Sequence, residues 1–223
     1  MPTLLSLSPV TAQGRRGLKF PPPPPLPLPP VAFRGRTLAE YARCFALDLT
    51  ALRRRDVLDV AAGSSSFTAE ACARGIDAVA VDPCYADGPD ELSARVEGND
   101  AATRFLADFA AQRFYGRYVA AALPHLPFFD ETFDLVLCAG LLFGRERRFD
   151  FDWHVAACRE LVRVSAAEVR LHRVVDVEGR AVPGVARLRR ELKAVGVASE
   201  LVRVAGQFAV GMEAMLVLKR VQS

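Results

Sequence analysis

A chain of 223 residues, of which 51% are apolar and 25% charged, has the length and composition of one medium-sized globular domain with a terminal extension. The formal net charge of +3 is too small to indicate nucleic acid as a partner, and no apolar run is long enough to span a bilayer. Five scattered cysteines without a CxxC pair favour reduced thiols over a disulfide framework or a zinc site, so we predict a cytoplasmic protein without a bound metal.

The first 34 residues form a proline-rich extension that includes an unbroken run from Pro21 to Pro25. Proline has a fixed φ and no amide hydrogen, so this segment favours polyproline II without burying apolar surface. We predict disorder over 1–34 and a folded domain over 35–223. A ligand for an SH3-like or WW-like groove is the alternative interpretation of the proline run.

The folded part is predicted to begin with an amphipathic helix over 37–49. Thr37 and Glu40 have the spacing of a capping box, in which each side chain bonds the backbone N–H of the other residue. An N-terminal cap at Thr37 therefore fixes where this helix starts.

The stretch 55–83 predicts a βαβ unit, with strands at 57–60 and 78–81, a turn centred on Gly63 and a helix of small residues. Both strands are apolar, as parallel strands are when helices cover both faces of the sheet, and each ends at a carboxylate, Asp59 or Asp82. In open α/β sheets, ligands bind beyond the carboxyl ends of the strands. A carboxylate about twenty residues past the turn suits a ribose diol, because each oxygen can accept a hydroxyl hydrogen bond. The pattern predicts a pocket for a nucleoside cofactor.

Five further strands and three further helices are predicted downstream. The strands are predicted at 117–123, 133–139, 167–175, 201–204 and 214–219. The helices are predicted at 99–112, at 152–164 and along an apolar face from Val185 to Val195, and 84–98 is predicted as a loop or a short helix. The last two strands follow each other without a helix, so they must be antiparallel. We therefore predict an α/β fold with a mostly parallel seven-stranded sheet, an antiparallel C-terminal hairpin and helices on both faces.

Three segments resemble those of the class I S-adenosylmethionine (SAM)-dependent methyltransferases. The string Asp59-Val60-Ala61-Ala62-Gly63-Ser64-Ser65 is similar to motif I of that family, an acid followed by Gly-x-Gly-x-Gly, although only the central glycine is present. The segment 126–143, LPFFDETFDLVLCAGLLF, resembles the fourth strand of the family, and 154–164, HVAACRELVRV, resembles the helix that follows it. The strings look most like small bacterial methyltransferase-like proteins of unassigned substrate. The resemblance implies a Rossmann-like methyltransferase fold and SAM as the cofactor.

The resemblance also implies where the cofactor would bind. Asp59 would orient the turn and the amino group of the cofactor, or serve only as a turn carboxylate, and Asp82 would accept the ribose hydroxyls. Ser64 and Ser65 would hold the SAM carboxylate or cap the helix that follows. The cofactor-binding residues predicted in this way are Asp59, Ala61, Gly63, Ser64, Ser65, Asp82, Pro83, Leu123 and Ala139. The third acid of the family, near the adenine, corresponds here to about Ala122.

Fewer residues can be assigned from the sequence to the binding of the methyl acceptor. A base is needed only if the acceptor must lose a proton, and His125, between two prolines, is the candidate, with a surface or structural role as the alternative. His154 and His172 are interpreted as structural. Tyr41 is either a lid over the pocket or a packing aromatic. Three arginines are interpreted as steering an anionic substrate or as part of a solvated loop: Arg145, Arg147 and Arg148.

These observations predict a SAM-dependent methyltransferase with a small-molecule acceptor and with neither nucleic acid nor membrane as a partner. The alternative is a SAM-binding or vestigial protein without transfer activity, because two motif I glycines and the third acid are absent. A nicotinamide-dependent oxidoreductase would need GxGxxG where this chain has AAGSSS.

Overall fold

The computed structural model describes residues 35–96, 98–142, 149–175, 180–205 and 212–221. The predicted disorder of 1–34 and the three arginines Arg145, Arg147 and Arg148 lie outside these residues. The boundary predicted between the extension and the domain stays a prediction. No helix in the described ranges is long and apolar enough to cross a membrane.

The described residues form helices and strands in alternation. The helices are α1 (Leu38–Cys44), α2 (Leu49–Leu52), α3 (Phe67–Ala73), α4 (Pro89–Arg95), α5 (Asp100–Gln112), α6 (Phe151–Val164) and α7 (Val185–Ala194). The strands are β1 (Asp56–Val60), β2 (Asp77–Val81), β3 (Tyr118–Val119), β4 (Phe133–Ala139), β5 (Ser165–His172), β6 (Val197–Ala205) and β7 (Met212–Arg220). Short 3-10 turns occupy Pro83–Ala86 and Arg113–Tyr115.

The seven strands form one sheet in the order β3-β2-β1-β4-β5-β7-β6. Strands β1 to β5 pair in parallel, whereas β7 is antiparallel to both β5 and β6. The predicted fold, a mostly parallel sheet closed by an antiparallel hairpin, is confirmed. Strands β2 and β3 continue the sheet on the side of β1, whereas β5, β7 and β6 continue it on the side of β4. The strand order therefore reverses between β1 and β4, and a ligand crevice is expected between the carboxyl ends of these two strands.

Apolar layers cover both faces of the sheet. On one face, Phe45, directly after α1, and Phe67 of α3 pack against the sheet, and on the other face Leu161 of α6 and Leu188 of α7 do so; all four side chains are fully buried. Burying a side chain of this size stabilises the folded state by about 1.5–3 kcal/mol. The layer of α1 and α3 matters most for the site, because it covers the face that carries Asp59.

The first predicted helix is shorter than the sequence indicated. The helix predicted over 37–49 is split, because Ala46 has a left-handed φ of +48° and Asp48 then caps α2 through its side chain. The predicted capping box is confirmed: Glu40 N–H donates to Thr37 Oγ1 at 3.2 Å and Thr37 N–H donates to Glu40 Oε2 at 2.7 Å. The start of α1 was therefore predictable, but its end was not.

Two predicted strands are shorter at their C-terminal ends than the sequence indicated. The third strand was predicted over 117–123 but β3 stops at Val119, and Ala122 then pairs with His125 across a turn that contains Pro124. The fifth was predicted over 167–175 but β5 stops at His172, because the next residue, Arg173, has a left-handed φ of +71°. Apolar side chains continue past both ends, so the hydrophobic pattern alone overestimates strand length.

Candidate functional site

The turn after β1 is tied directly to the carboxylate that follows β2. Gly63 N–H donates to Asp82 Oδ2 at 3.0 Å, and Cys84 N–H donates to Asp82 Oδ1 at 3.0 Å. The hydroxyl of Tyr85 donates to the Gly63 carbonyl at 2.8 Å. Burial raises the pKa of Asp82, and the bonds from Cys84 and Gly63 oppose that rise. The structure thus brings the predicted residues Gly63 and Asp82 together at the carboxyl edge of the sheet.

The backbone of this turn explains one departure from motif I. Ala61, which stands where the family has glycine, has a left-handed φ of +57°, and Gly63 has a φ of +54°. A left-handed conformation costs an L-residue about 1–2 kcal/mol, whereas glycine adopts it freely. The turn is therefore formed with alanine at the first glycine position, at the cost of some local strain.

Asp59 is completely buried beneath α1. Its Oδ1 accepts a hydrogen bond from the Tyr41 hydroxyl at 3.0 Å, while its Oδ2 is buried without a hydrogen-bond partner among the described residues. Burial raises the pKa of Asp59 to about 8, and the Tyr41 hydroxyl and the nearby charge of Arg36 limit the rise. Tyr41 also stacks on Phe67 with ring centroids 4.6 Å apart, so it packs in the core and holds Asp59 at once.

The serines that start α3 are engaged with the protein itself. Ser65 Oγ accepts the N–H of Phe67 at 3.1 Å and donates to the carbonyl of Arg36 at 3.0 Å. Ser66 Oγ donates to Glu70 Oε1 at 2.6 Å. Helix capping, the alternative considered from the sequence, accounts for the Ser65 hydroxyl in this structure.

Residues 35–37 cross the Gly63 turn just before α1. The carbonyl of Arg36 accepts Ser66 N–H at 2.9 Å, and Arg36 Nη1 reaches the carbonyl of Ala139, at the end of β4, at 3.2 Å. A guanidinium therefore lies over the crevice between β1 and β4. Arg36 was not predicted as a site residue, because nothing in the local sequence pattern indicates that the chain before the helix cap returns over the turn.

Gly35 is expected to tolerate no side chain, because a Cβ there would lie 2.5 Å from the carbonyl oxygen of Ser64 and 3.0 Å from the Ala102 nitrogen. We expect Gly35→Ala to lower the free energy of unfolding by about 1–3 kcal/mol, as overpacking does in closely packed regions. Gly98→Ala is the control, since nothing lies within 4 Å of its Cβ position, and it should change stability by less than about 1 kcal/mol. Urea denaturation measures both, and equal stability of the two variants would contradict the described packing of residues 35–37.

A second polar cluster lies beside Arg36, at the ends of β5 and β7. His172 is the register partner of Ala139, is buried, and its Nε2 lies 2.7 Å from Glu213 Oε2. Burial lowers the pKa of His172, Glu213 opposes the fall, and the charges of Arg36 and Arg173 add to it.

The same cluster contains a potential set of metal ligands. Cys44 Sγ, a ring nitrogen of His172 and a carboxylate oxygen of Glu213 lie within 4.8 Å of one another. Two positive guanidinium groups also face this cluster, and burial raises the pKa of the Cys44 thiol. Both features oppose binding of a divalent cation, so we do not assign a metal centre here.

The remaining predicted residues are spread along the same edge. Pro83 begins the 3-10 turn after Asp82, Leu123 is buried, and Ala139 ends β4. His125 is exposed in the turn after β3, where its N–H donates to the Ala122 carbonyl at 3.1 Å, and its assignment as a base stays a prediction. A shallow groove of about 620 Å³ follows the outer face of α6 and contains none of these residues.

Comparisons with known proteins agree with this architecture. No family model matches the chain. An uncharacterized protein of Methanocaldococcus jannaschii is 24% identical, over 72% of this chain and 85% of that protein. A solved structure from Pyrococcus horikoshii is similar with a TM-score of 0.52 and 15% identity, over 82% of this chain and 90% of the other.

A second solved structure is that of an enzyme with ligands bound. It is the Burkholderia thailandensis 1,6-didemethyltoxoflavin-N1-methyltransferase, in complex with 1,6-didemethyltoxoflavin and S-adenosylhomocysteine (SAH). The similarity has a TM-score of 0.50 and 18% identity, over 82% of this chain and 77% of that chain. At such identities the comparison shows the fold: the chain has the fold of the class I SAM-dependent methyltransferases.

Proposed function

We propose that this protein is a SAM-dependent methyltransferase that acts on a small-molecule acceptor. The observation that supports the proposal most is the pair of hydrogen bonds through which Asp82 joins the Gly63 turn to the turn after β2. This arrangement lies at the switch point of the sheet, where α/β folds bind nucleosides. The fold shared with SAM-dependent enzymes supports the same cofactor.

The residues present fit SAM. The buried Oδ2 of Asp59 lacks a partner among the described residues, and an ammonium group is a donor that would satisfy it. The carboxylate of Asp82 accepts the N–H of Gly63 and both the N–H and the thiol of Cys84, which leaves one of its roughly four lone-pair sites for a ribose hydroxyl. We therefore assign the methionyl end to Asp59, Ala61, Gly63 and Ser64, the ribose to Asp82 and Pro83, the adenine to Leu123, and the methyl region to Ala139. Ser65 is left out of this assignment, because its hydroxyl and its N–H both bond the protein itself.

Bound SAM supplies a methyl group on a sulfonium, so the leaving group is neutral and the reagent is already activated. The protein then has to bind the acceptor, orient it toward the methyl group and exclude water. These effects can supply much of the rate. Tyr41 fixes Asp59 through its hydroxyl, and residues 35–37 cover the Gly63 turn. Both elements belong to the layer that shields the carboxyl edge from solvent.

Isothermal titration calorimetry with SAH tests this proposal. We expect saturable binding of SAH, weaker binding of 5′-methylthioadenosine, which lacks the amino-acid part, and no binding of NAD. Conversion of SAM to SAH with a panel of small acceptors would then distinguish an enzyme from a SAM-binding protein without transfer activity. Binding of NAD in place of SAH would contradict the proposal. The cytoplasmic location and the absence of nucleic-acid and membrane partners stay predictions. The oligomeric state was not predicted from the sequence.

A further inference from the structure

Two arginine side chains converge over Gly140, directly after β4. A Cβ built at Gly140 would lie 3.4 Å from Arg36 Nη2 and 3.5 Å from Arg173 Cδ. Gly140 has a φ of +84°, and Arg173 has a left-handed φ of +71°, which is uncommon for a residue with a side chain. Strained backbone of this kind persists where the surrounding structure requires it, and it is concentrated at functional sites.

Neither Arg36 nor Arg173 forms a direct ion pair with a carboxylate in the described part of the chain, although the charge of Arg36 acts on Asp59 and Glu213 lies beside His172. Arg36 is half-buried and Arg173 is exposed, and an anion bound by both guanidinium groups would offset the repulsion between their like charges. Arg36 is also held at both ends, since its carbonyl accepts from Ser66 and its Nη1 donates to Ala139. A guanidinium held in this way is suited to bind an oxyanion with little loss of conformational freedom.

His172 lies next to this pair and has an available lone pair. In the tautomer that satisfies both groups, the His172 Nε2 that lies 2.7 Å from Glu213 Oε2 carries the hydrogen and the carboxylate oxygen accepts it. The other ring nitrogen, Nδ1, is then an acceptor, and it is buried without a partner among the described residues. His172 therefore carries an unpartnered hydrogen-bond acceptor on a side chain that is 1% exposed, and it directly precedes Arg173 in the chain.

We infer that Arg36 and Arg173 bind an oxyanion group of the methyl acceptor over Gly140, with a protic group of the same molecule facing Nδ1 of His172. This inference rests on the proposed function, because it takes the carboxyl ends of β4 and β5 as the acceptor side of a methyltransferase. The acceptor class is a small carboxylate or phosphate ester that carries a hydroxyl, amine or thiol. His172, interpreted from the sequence as structural, becomes a binding residue of this subsite.

The test is a titration of the ¹⁵N-labelled protein with benzoate, phenyl phosphate and benzamide, followed through the imidazole signals. The chain has three histidines, so His125→Gln and His154→Gln identify the His172 signals by elimination. We expect a saturable shift of the His172 signals with benzoate or phenyl phosphate and none with neutral benzamide. The anion that binds more tightly identifies whether the acceptor group is a carboxylate or a phosphate.

Matched variants decide whether the arginines are responsible. Arg173→Asn removes the charge with a residue that tolerates a left-handed φ, and we expect it to weaken anion binding at least about tenfold. Arg36→Met should do the same, whereas Arg54→Asn, an exposed arginine before β1, should bind as the wild type does. Equal shifts with benzamide, or unchanged anion binding in Arg173→Asn, would overturn the inference.

The titration is run with and without saturating SAH, so that the two proposals can fail separately. Anion-specific shifts at His172 in a protein that does not bind SAH would support anion binding by the two arginines. The same result would contradict the proposed function as a methyltransferase. SAH binding without any anion-specific shift would contradict the arginine pair alone.

Discussion

Asp82→Ala is expected to reduce SAH affinity at least about a hundredfold, because the ribose loses its acceptor and two buried backbone N–H groups lose theirs. Those groups belong to Gly63 and Cys84, so the turn that faces the nucleoside loosens as well. The same substitution should lower the free energy of unfolding by about 1–3 kcal/mol. Calorimetry with SAH and urea denaturation measure the two effects independently.

Asp90→Ala is the matched control for Asp82→Ala, since Asp90 is an exposed carboxylate in the first turn of the following helix, α4. It should leave both SAH affinity and stability within about 0.5 kcal/mol of the wild type. If Asp82→Ala lost stability but bound SAH like Asp90→Ala, the role of Asp82 would be confined to the turn. That result would contradict its assignment to the ribose.

Asp59→Asn is expected to stabilise the protein while weakening its binding of SAH. The pKa of Asp59 is raised from an ordinary value of 3.8 to about 8, so the folded state binds this proton more tightly than the unfolded state does. Stability is therefore present at low pH and is lost as the pH rises from about 4 to about 8. Asparagine keeps the oxygen that accepts from Tyr41 but never ionises, so the variant should be about 1–2 kcal/mol more stable at pH 8.

The pH dependence of unfolding distinguishes this explanation from a general effect of the substitution. Wild type and Asp59→Asn should have similar stability near pH 4 and should diverge toward pH 8, while exposed Asp56→Asn should follow the wild type throughout. SAH affinity of Asp59→Asn should fall at least about tenfold through loss of the ammonium partner. Lower stability of Asp59→Asn at pH 8, or parallel profiles of stability against pH, would contradict the placement of Asp59 Oδ2 as buried and without a partner among the described residues.

The sheet and its central βαβ unit were predictable because their signals are local. The apolar runs of β1 and β2, the turn residue Gly63 and the capping box at Thr37 each fix one element without reference to the rest of the chain. The ends of β3 and β5 were not predictable in this way. The left-handed conformation of Arg173 results from tertiary packing, and no residue type at that position indicates it.

The candidate site was predicted in part for the same reason. Asp59, Gly63 and Asp82 follow strands, and parallel strands place their ends together, so their convergence follows from the pattern. Arg36 and His172 are 136 positions apart in the chain (172 − 36), and they come near each other only because residues 35–37 cross the Gly63 turn and β5 lies beside β4. Proximity of that kind depends on the whole fold and has no local sequence signal.

A crystal structure of the protein with SAH would test the central claim most directly. We predict that the nucleoside lies against the Gly63 turn, that a ribose hydroxyl bonds the carboxylate of Asp82, and that the amino group reaches Oδ2 of Asp59. SAH bound elsewhere, or a ribose that makes no contact with Asp82, would contradict the account.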